Sequence, residues 1–199
     1  LMGKRAKRNG VAFFFFALFL SLSFLVAVPA AMRLTNTDSA TLWQNLFRIC
    51  TSPSKLVTDY FAVGCLASTL LNAGLCGLSC NLLILVSRTR ASSTTFAAYI
   101  LVIAHCFYGL NLINMWPPFV GVVLYCFITR NPLRKNVHLA MFATALAPFI
   151  SDFLFCYPLG IYVNMAGVDV NVVGIAMSVL FGFGSGFLVP ALLPGTAAM

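Results

Sequence analysis

Charged residues are scarce in this chain. Only 8% of its 199 residues are Asp, Glu, Lys or Arg, and four residues are acidic. A soluble domain usually carries about 25% charged residues, because its surface must face water. The low charge therefore argues against an ordinary water-soluble domain. The remaining composition, with 61% hydrophobic residues and 19 phenylalanines, is typical of a chain that lies in lipid.

The motifs of common catalytic sites are also missing. There is no GxSxG, HExxH, P-loop or glycine-rich dinucleotide fingerprint. The seven cysteines form no CxxC pair and have no histidine at metal-ligand spacing, so they are predicted to pack as small apolar side chains. We expect no cofactor and no metal. An intramembrane enzyme stays a third interpretation, which would need His105 and Asp152 within hydrogen-bonding distance.

Apolar runs long enough to cross a membrane are present. A helix needs about 20 residues to cross about 30 Å of hydrocarbon. Residues 11–32 form one such run, and residues 55–87 contain another. Later runs are interrupted by proline or asparagine, and counting them gives five or six spans. We predict an all-α, polytopic transmembrane helical bundle in which some spans are broken or re-entrant.

Most positive charges lie in three clusters at the ends of apolar runs: Lys4, Arg5, Lys7 and Arg8; Arg88 and Arg90; and Arg130, Arg134 and Lys135. Short cytoplasmic loops are enriched in Lys and Arg. This pattern predicts a cytoplasmic (inner) membrane protein with its N-terminus inside. It also accounts for the net charge of +8, so the lipid bilayer is the expected partner and nucleic acid is not.

We interpret residues 1–199 as a single transmembrane domain. Residues 1–10 are the basic cytoplasmic N-terminus, 11–32 the first span, 33–55 an external interfacial segment and 56–199 the core. The first run is longer than the core of about 7–15 residues in a secretory signal, so a retained span is favoured over cleavage. The chain ends directly after an apolar run, which suggests one half of a two-repeat protein. A second homologous half or a homo-oligomer is an expected partner.

The apolar run of residues 57–87 is too long for one straight crossing. It must tilt strongly, project from the bilayer or break, and the expected place for a break is Asn72-Ala73-Gly74. In residues 94–129, two short arms form a hairpin, and Pro117 and Pro118 favour the start of its second helix.

Pro148 interrupts the apolar run of residues 136–164, and Thr144 carries the carbonyl that this proline leaves free. A proline inside a helix removes a hydrogen bond and kinks or interrupts the helix. The segment is therefore predicted to be either a broken span or a re-entrant one.

Non-helical backbone at membrane depth survives only where protein buries it or water borders it. The residues expected to line a solute path at such breaks are Asn72, Asn111, Asn114, Thr144 and Asp152, with His105 and Trp116 as further polar contacts. For Asp152 the alternative is a structural hydrogen bond to freed backbone, and for His105 it is a bond between helices.

Such a lining, with amides and little fixed charge, suits a small polar solute that is neutral or weakly charged. The leading hypothesis is a transporter or channel module, and a membrane scaffold or assembly subunit is the alternative. Under the leading hypothesis, Asn72→Leu and Asn114→Leu should abolish solute flux without affecting folding.

Four stretches carry a resemblance to a known family: "LLNAGLCGL" from Leu70, "GLNLINMWPPFVGVVLY" from Gly109, "ATALAPFISD" from Ala143 and "GFLVPALLP" from Gly186. In combination they resemble the bacterial membrane proteins grouped as domain of unknown function 1576. The resemblance implies a double-length architecture with two related halves and implies no substrate. A looser similarity to urea-transporter halves rests on Asn72, Gly74 and Pro148, and it departs from that pattern because no threonine stands two residues before Pro148.

Overall fold

The fold is a helical bundle, as predicted. A computed structural model describes residues 2–54, 58–89, 92–158, 160–165 and 167–192. In chain order its helices are α1 (Met2–Leu34), α2 (Ser39–Thr51), α3 (Tyr60–Val63), α4 (Leu66–Ser87), α5 (Ser93–His105), α6 (Trp116–Ile128), α7 (Leu133–Ala143), α8 (Ala147–Phe155) and α9 (Val172–Leu192). The strands β1 (Tyr162–Met165) and β2 (Val168–Asn171) form a small hairpin before α9.

Four apolar helical segments of the described chain are long enough to cross a membrane: Gly10–Leu34, Leu66–Ser87, Leu133–Phe155 and Val172–Pro190. The third consists of α7, one 3-10 turn and α8, which continue in one direction. Pro148 lies in the first turn of α8, where its missing N–H costs little. The Pro148 segment is therefore a continuous crossing with a local irregularity, and the chain is an integral membrane protein.

Helices α1 and α4 pack closely along their length, in opposite directions. At Gly77, an added Cβ would lie 2.5 Å from Ser21 Oγ, and at Gly74 it would meet the side chain of Leu25. These glycines let the two backbones approach, because they carry no side chain at the contact.

The predicted break at Gly74 is wrong, because α4 is continuous from Leu66 to Ser87. The interruption lies earlier, at Gly64 and Cys65. There α3 ends and Cys65 begins α4 with extended backbone. The length of the apolar run correctly indicated an interruption, but Gly74 and Gly77 inside the run serve helix packing.

The small β-hairpin was not predicted, since the sequence indicated an all-α bundle. β1 and β2 pair antiparallel, with Tyr162 opposite Asn171 and Met165 opposite Val168. Gly167 has a φ of 84°, a conformation that favours glycine in a tight turn. Val168 and Val170 therefore belong to a strand, and α9 begins at Val172.

Helix α2 is amphipathic and covers one end of the bundle. Asp38 caps it by accepting a hydrogen bond from Thr41 N at 3.2 Å, and this bonding with Thr41 lowers the pKa of Asp38. Leu42, Leu46 and Ile49 are buried against the bundle. Trp43 and Phe47 are exposed on the other side of the helix.

Helices α5 and α6 form a hairpin of two 13-residue arms. Four helix ends lie on the same side of the bundle: the end of α4, the start of α5, the end of α6 and the start of α7. We call it the basic side, because it carries Arg88, Arg130, Arg134 and Lys135.

The tip of this hairpin, residues 106–115, lies inside the bundle and does not reach its other side. Asn72 contacts the tip six residues after the start of α4, which is about 9 Å along that helix. Pro117, just after the tip, contacts Gly182, ten residues or about 15 Å into α9. The hairpin is thus re-entrant from the basic side.

Candidate functional site

The tip of the hairpin is held by three asparagines, Asn72, Asn111 and Asn114, which we call the asparagine cluster. All three side chains are 0% exposed. Asn72, on α4, donates from Nδ2 to the carbonyl oxygens of Cys106 at 3.1 Å and Leu110 at 2.9 Å. Its Oδ1 accepts a weak hydrogen bond from Cys76 Sγ at 3.7 Å. Asn72 therefore replaces the helical partners that these tip carbonyls lack.

Asn111 joins the tip to the segment between α1 and α4. Its Nδ2 donates to Tyr60 Oη at 3.0 Å and to the carbonyl oxygen of Ile49 at 3.3 Å. Its Oδ1 accepts the backbone N–H groups of Ile113 and Asn114, each at 2.9 Å. This geometry caps the turn that leads into α6.

Asn114 joins the tip to α8. Its Oδ1 accepts the backbone N–H of Asn111 at 2.8 Å, and its Nδ2 donates to the carbonyl oxygen of Gly109 at 2.8 Å and to Ser151 Oγ at 2.9 Å. Gly109 has a φ of 123°, which an L side chain rarely adopts. The asparagine and the glycine together define the sharp turn.

In this conformation the cluster offers no amide hydrogen to a solute. Each of the three Nδ2 groups donates both hydrogens to protein acceptors, and each Oδ1 accepts at least one hydrogen bond. The irregular tip is tolerated inside the bundle because these side chains bond its backbone. Asn72→Leu and Asn114→Leu are therefore expected to destabilise the hairpin. This differs from the expectation from the sequence alone, that both variants would fold normally.

Thr144 and Pro148 lie where the α7–α8 crossing is irregular. Thr144 is buried and donates from Oγ1 to the carbonyl oxygen of Met141 at 2.7 Å. The Thr144 carbonyl, which Pro148 leaves without its helical donor, accepts the N–H of Ala147 instead. The carbonyl that Pro148 frees is therefore bonded within the 3-10 turn. The Pro148 ring packs beside Gly109 of the tip.

Asp152 has hydrogen-bonding capacity that is not used. It follows Ser151, the partner of Asn114, and it is half-buried. Its Oδ1 is buried and has no hydrogen-bond partner among the described residues. The structural alternative, a bond to backbone freed by Pro148, is not made by this oxygen. Among the five predicted path residues, Asp152 is thus the one with a buried side-chain oxygen that has no hydrogen-bond partner among the described residues.

The two further contacts lie at the ends of the hairpin arms. His105 closes α5, is half-buried, and donates from Nδ1 to the carbonyl oxygen of Leu101 in its own helix at 2.8 Å. Trp116 opens α6, and 43% of it is exposed. Pro117 and Pro118 follow it in the first turn of α6, as predicted. With two prolines there, this helix start has few free N–H donors for an anion.

Sequence reasoning missed the side chains that complete the tip, Tyr60 and Ser151, and a second buried cluster of Ser21, Asn81 and Tyr99. The signal for Asn81 was present, because an asparagine in an apolar span needs an internal partner. Ser151 gave no such signal, because serine is common in spans. Tyr60 gave none either, because tyrosine is common near the ends of spans. No group of three or more His, Cys, Asp or Glu side chains is placed to hold a metal ion in the part of the chain that the structure describes.

The spans, the re-entrant hairpin and the buried amides together define a polytopic integral membrane protein with an all-α bundle. A family model described as "Protein of unknown function (DUF1576)" matches residues 38–199. The chain belongs to this family, as the resemblance indicated. No curated protein and no solved structure matches it. The match begins after α1, so the asparagine cluster and Asp152 lie within the family region.

Proposed function

We propose that the chain is a module of a membrane transporter or channel for a small polar solute that is neutral or weakly charged. The observation that carries this proposal is the re-entrant hairpin, whose non-helical tip lies inside the bundle and bonds to Ser151, the residue before Asp152. Interrupted helices that meet within the membrane form the binding sites of many transporters. In this proposal the described conformation is closed, and the asparagine cluster holds the tip in its closed position.

In the closed conformation proposed here, Tyr60 and Ser54 cover the tip. Tyr60 is fully buried and donates its backbone N–H to the carbonyl oxygen of Phe107 at 3.2 Å. Ser54 Oγ donates to the carbonyl oxygen of Gly109 at 3.4 Å. The described residues of α2, Ser54 and α3 thus close the tip on the side away from the basic side. Opening would move this cover and expose the amides of Asn72, Asn111 and Asn114 to solute.

The path is proposed to be completed by a second homologous half or a second copy of the chain. Trp116, Ile113 and Tyr108 are exposed beside the hairpin tip. Such large side chains next to irregular backbone suit a protein neighbour, because irregular backbone in the hydrocarbon region is otherwise covered by protein or water. The proposed location is the cytoplasmic membrane of a bacterium, with the N-terminus inside.

A scaffold or assembly subunit is the second candidate. The asparagine cluster supports it, since side chains whose amide hydrogens all bond to protein can serve folding alone. The two candidates differ in one measurable property, which is solute flux. A scaffold would co-purify with a stoichiometric partner and would carry no solute.

The test is flux of urea, acetamide and glycerol into proteoliposomes that contain the full chain, followed by light scattering. We expect at least one of these probes to enter faster than into empty liposomes. Asp152→Leu should reduce the protein-dependent rate about fivefold, because it removes a hydrogen-bond acceptor and one hydrogen bond contributes roughly 0.5–1.5 kcal/mol. Asp152→Asn, which keeps a hydrogen-bonding oxygen, should retain part of the rate.

Asp169→Leu is the matched control, because Asp169 lies on the exposed β-hairpin and bonds to Asn164 at 2.9 Å. It should leave flux unchanged. Equal flux in the wild type and Asp152→Leu would remove Asp152 from the path. Rates equal to those of empty liposomes for all three probes, with a stoichiometric partner present, would favour the scaffold.

Orientation can be tested with a membrane-impermeant maleimide on single-cysteine variants. Cys156 is exposed and lies at the end of the α7–α8 crossing, away from the basic side. With the N-terminus inside, Cys156 should be labelled from outside intact cells. Arg130→Cys, on the exposed loop of the basic side, should be labelled only after permeabilisation. The reverse pattern would show that the N-terminus is outside.

A further inference from the structure

A second polar cluster is buried between α1, α4 and α5, nearer to the basic side. It consists of Ser21, Asn81 and Tyr99, of which Ser21 and Tyr99 are 0% and Asn81 is 4% exposed. Asn81 lies six residues before the end of α4 at Ser87, which is about 9 Å along the helix. Asn72 is nine residues further from that end, so α4 carries two buried asparagines at different depths. The cluster is therefore separate from the hairpin tip.

The hydrogen bonds of this cluster have a direction. Tyr99 Oη donates to the carbonyl oxygen of Ala17 at 2.7 Å. Ser21 Oγ lies 2.7 Å from Tyr99 Oη and 3.0 Å from the same carbonyl, so its single hydrogen points to one of them. Asn81 Nδ2 donates to Ser21 Oγ at 2.9 Å. The chain of bonds thus begins at the Asn81 amide and ends at the backbone of α1.

The Asn81 amide keeps an acceptor that no protein group uses. Its Oδ1 is buried and has no hydrogen-bond partner among the described residues. A carboxamide can accept two hydrogen bonds and donate two. The bond to Ser21 occupies one of the donors. A buried acceptor left without a donor costs about 1–3 kcal/mol, so a ligand that donates a hydrogen here would remove a real penalty.

We propose that Asn81 binds a small neutral molecule that donates a hydrogen bond to Oδ1, with water as the smallest member of this class. A buried water typically bonds to polar groups that would otherwise be unsatisfied. A cation is disfavoured, because it would need several acceptors and the cluster offers this one. The three side chains are uncharged, so they provide no partner for an anion either.

The site does not depend on the proposed transport function. A hydrated Asn81 would be expected in a scaffold as well as in a channel. If the ligand is the transported solute, Asn81 would form a second binding site for it, on the basic side of the hairpin tip. The experiment is therefore designed to detect the site first and to identify the source of its ligand second.

The direct test is a density map of the full protein at a resolution that shows ordered water, recorded with and without formamide. Formamide is the probe because it has N–H donors and a carbonyl acceptor. We expect a density peak within hydrogen-bonding distance of Asn81 Oδ1. Replacement of that peak by formamide would indicate a solute site, and retention of the peak would indicate a water site. An unpaired Oδ1 with no peak in either map would overturn the proposal.

The sign of a stability change gives an independent test. If Oδ1 binds a ligand, Asn81→Leu removes that bond and the one to Ser21, and the melting temperature should fall by about 3–6 °C. If Oδ1 is dry and unpaired, leucine relieves the penalty, and the melting temperature should stay the same or rise. Asn131→Leu, at an exposed loop position, is the control. If Asn81→Leu does not fold, the wild-type density map still decides.

Discussion

Replacing Asn114 with leucine is expected to lower the free energy of unfolding by about 3 kcal/mol. Leucine is close to asparagine in size but cannot bond to the Asn111 N–H, the Gly109 carbonyl or Ser151 Oγ. Each buried group left without its partner costs about 1–3 kcal/mol in soluble proteins, and bonds between membrane helices average about 0.6 kcal/mol. Three such losses at one fully buried turn give the expected total. The melting temperature in detergent should fall by roughly 6–12 °C.

Two comparisons separate this effect from a general cost of substitution. Asn131→Leu changes an exposed asparagine that bonds to Thr129 Oγ1, and it should alter stability by less than about 0.5 kcal/mol. Ser151→Ala removes one partner of Asn114 and should cost about 1 kcal/mol, with coupling between the two positions in a double-mutant cycle. An Asn114→Leu protein as stable as the wild type would show that the tip is not held by this amide.

Replacing Gly186 with leucine should separate α6 from α9. These helices run in the same direction with their backbones in contact. A Cβ at Gly186 would meet the carbonyl oxygen of Pro118 and would lie 2.9 Å from the Cα of Gly121. The backbone atoms cannot move aside as a flexible side chain can, so the helices must shift apart. Overpacking typically costs 1–3 kcal/mol, and we expect about 3 kcal/mol for leucine at this position.

Gly184 is a control on the same helix. A Cβ added there has no atom within 4 Å, so Gly184→Leu tests the change of residue type without the contact. It should be neutral or slightly stabilising, because leucine favours helix more than glycine does. Thermal unfolding of the two variants in the same detergent measures the difference. Equal melting temperatures would contradict the close packing of α6 on α9.

Both substitutions act on the hairpin from different sides. Asn114 holds its tip against α8, and Gly186 allows α9 to pack on its second arm. If the hairpin is the moving part of a transporter, milder changes at these positions should alter flux before they unfold the protein. Gly186→Ala tests this, since its single methyl group already requires α6 and α9 to shift apart, by less than leucine does.

Part of this architecture could be predicted from local chemistry. Continuous apolar runs predict membrane-crossing helices wherever they occur, because the hydrocarbon thickness sets their length. Pro117 and Pro118 predicted the start of α6, because proline fixes φ and lacks the N–H that a first turn does not need. The length of residues 57–87 indicated an interruption, but its place at Gly64 and Cys65 depended on contact with Ile49 of α2.

The candidate site was predicted less completely. The asparagines were identified because buried amides in apolar runs need partners, but the partners themselves are distant in sequence. Asn72 bonds to carbonyls 34 and 38 residues away, and Asn111 bonds to Tyr60, 51 residues away. Nothing in the spacing of residues could distinguish bonding to backbone from exposure to a solute path. The oxygens without partners, on Asp152 and Asn81, became visible only once the other bonds were assigned.

The amino-acid sequence by itself determined that this protein lies in a membrane as a bundle of helices, because apolar length and scarce charge leave the chain no stable alternative in water. It also indicated the start of α6 and several of the polar groups that must be buried. Only the tertiary structure decided which groups those asparagines bond to and how far the hairpin enters the bundle. The physical reason is that a hydrogen bond depends on which two groups meet, and distant segments meet only when the helices pack.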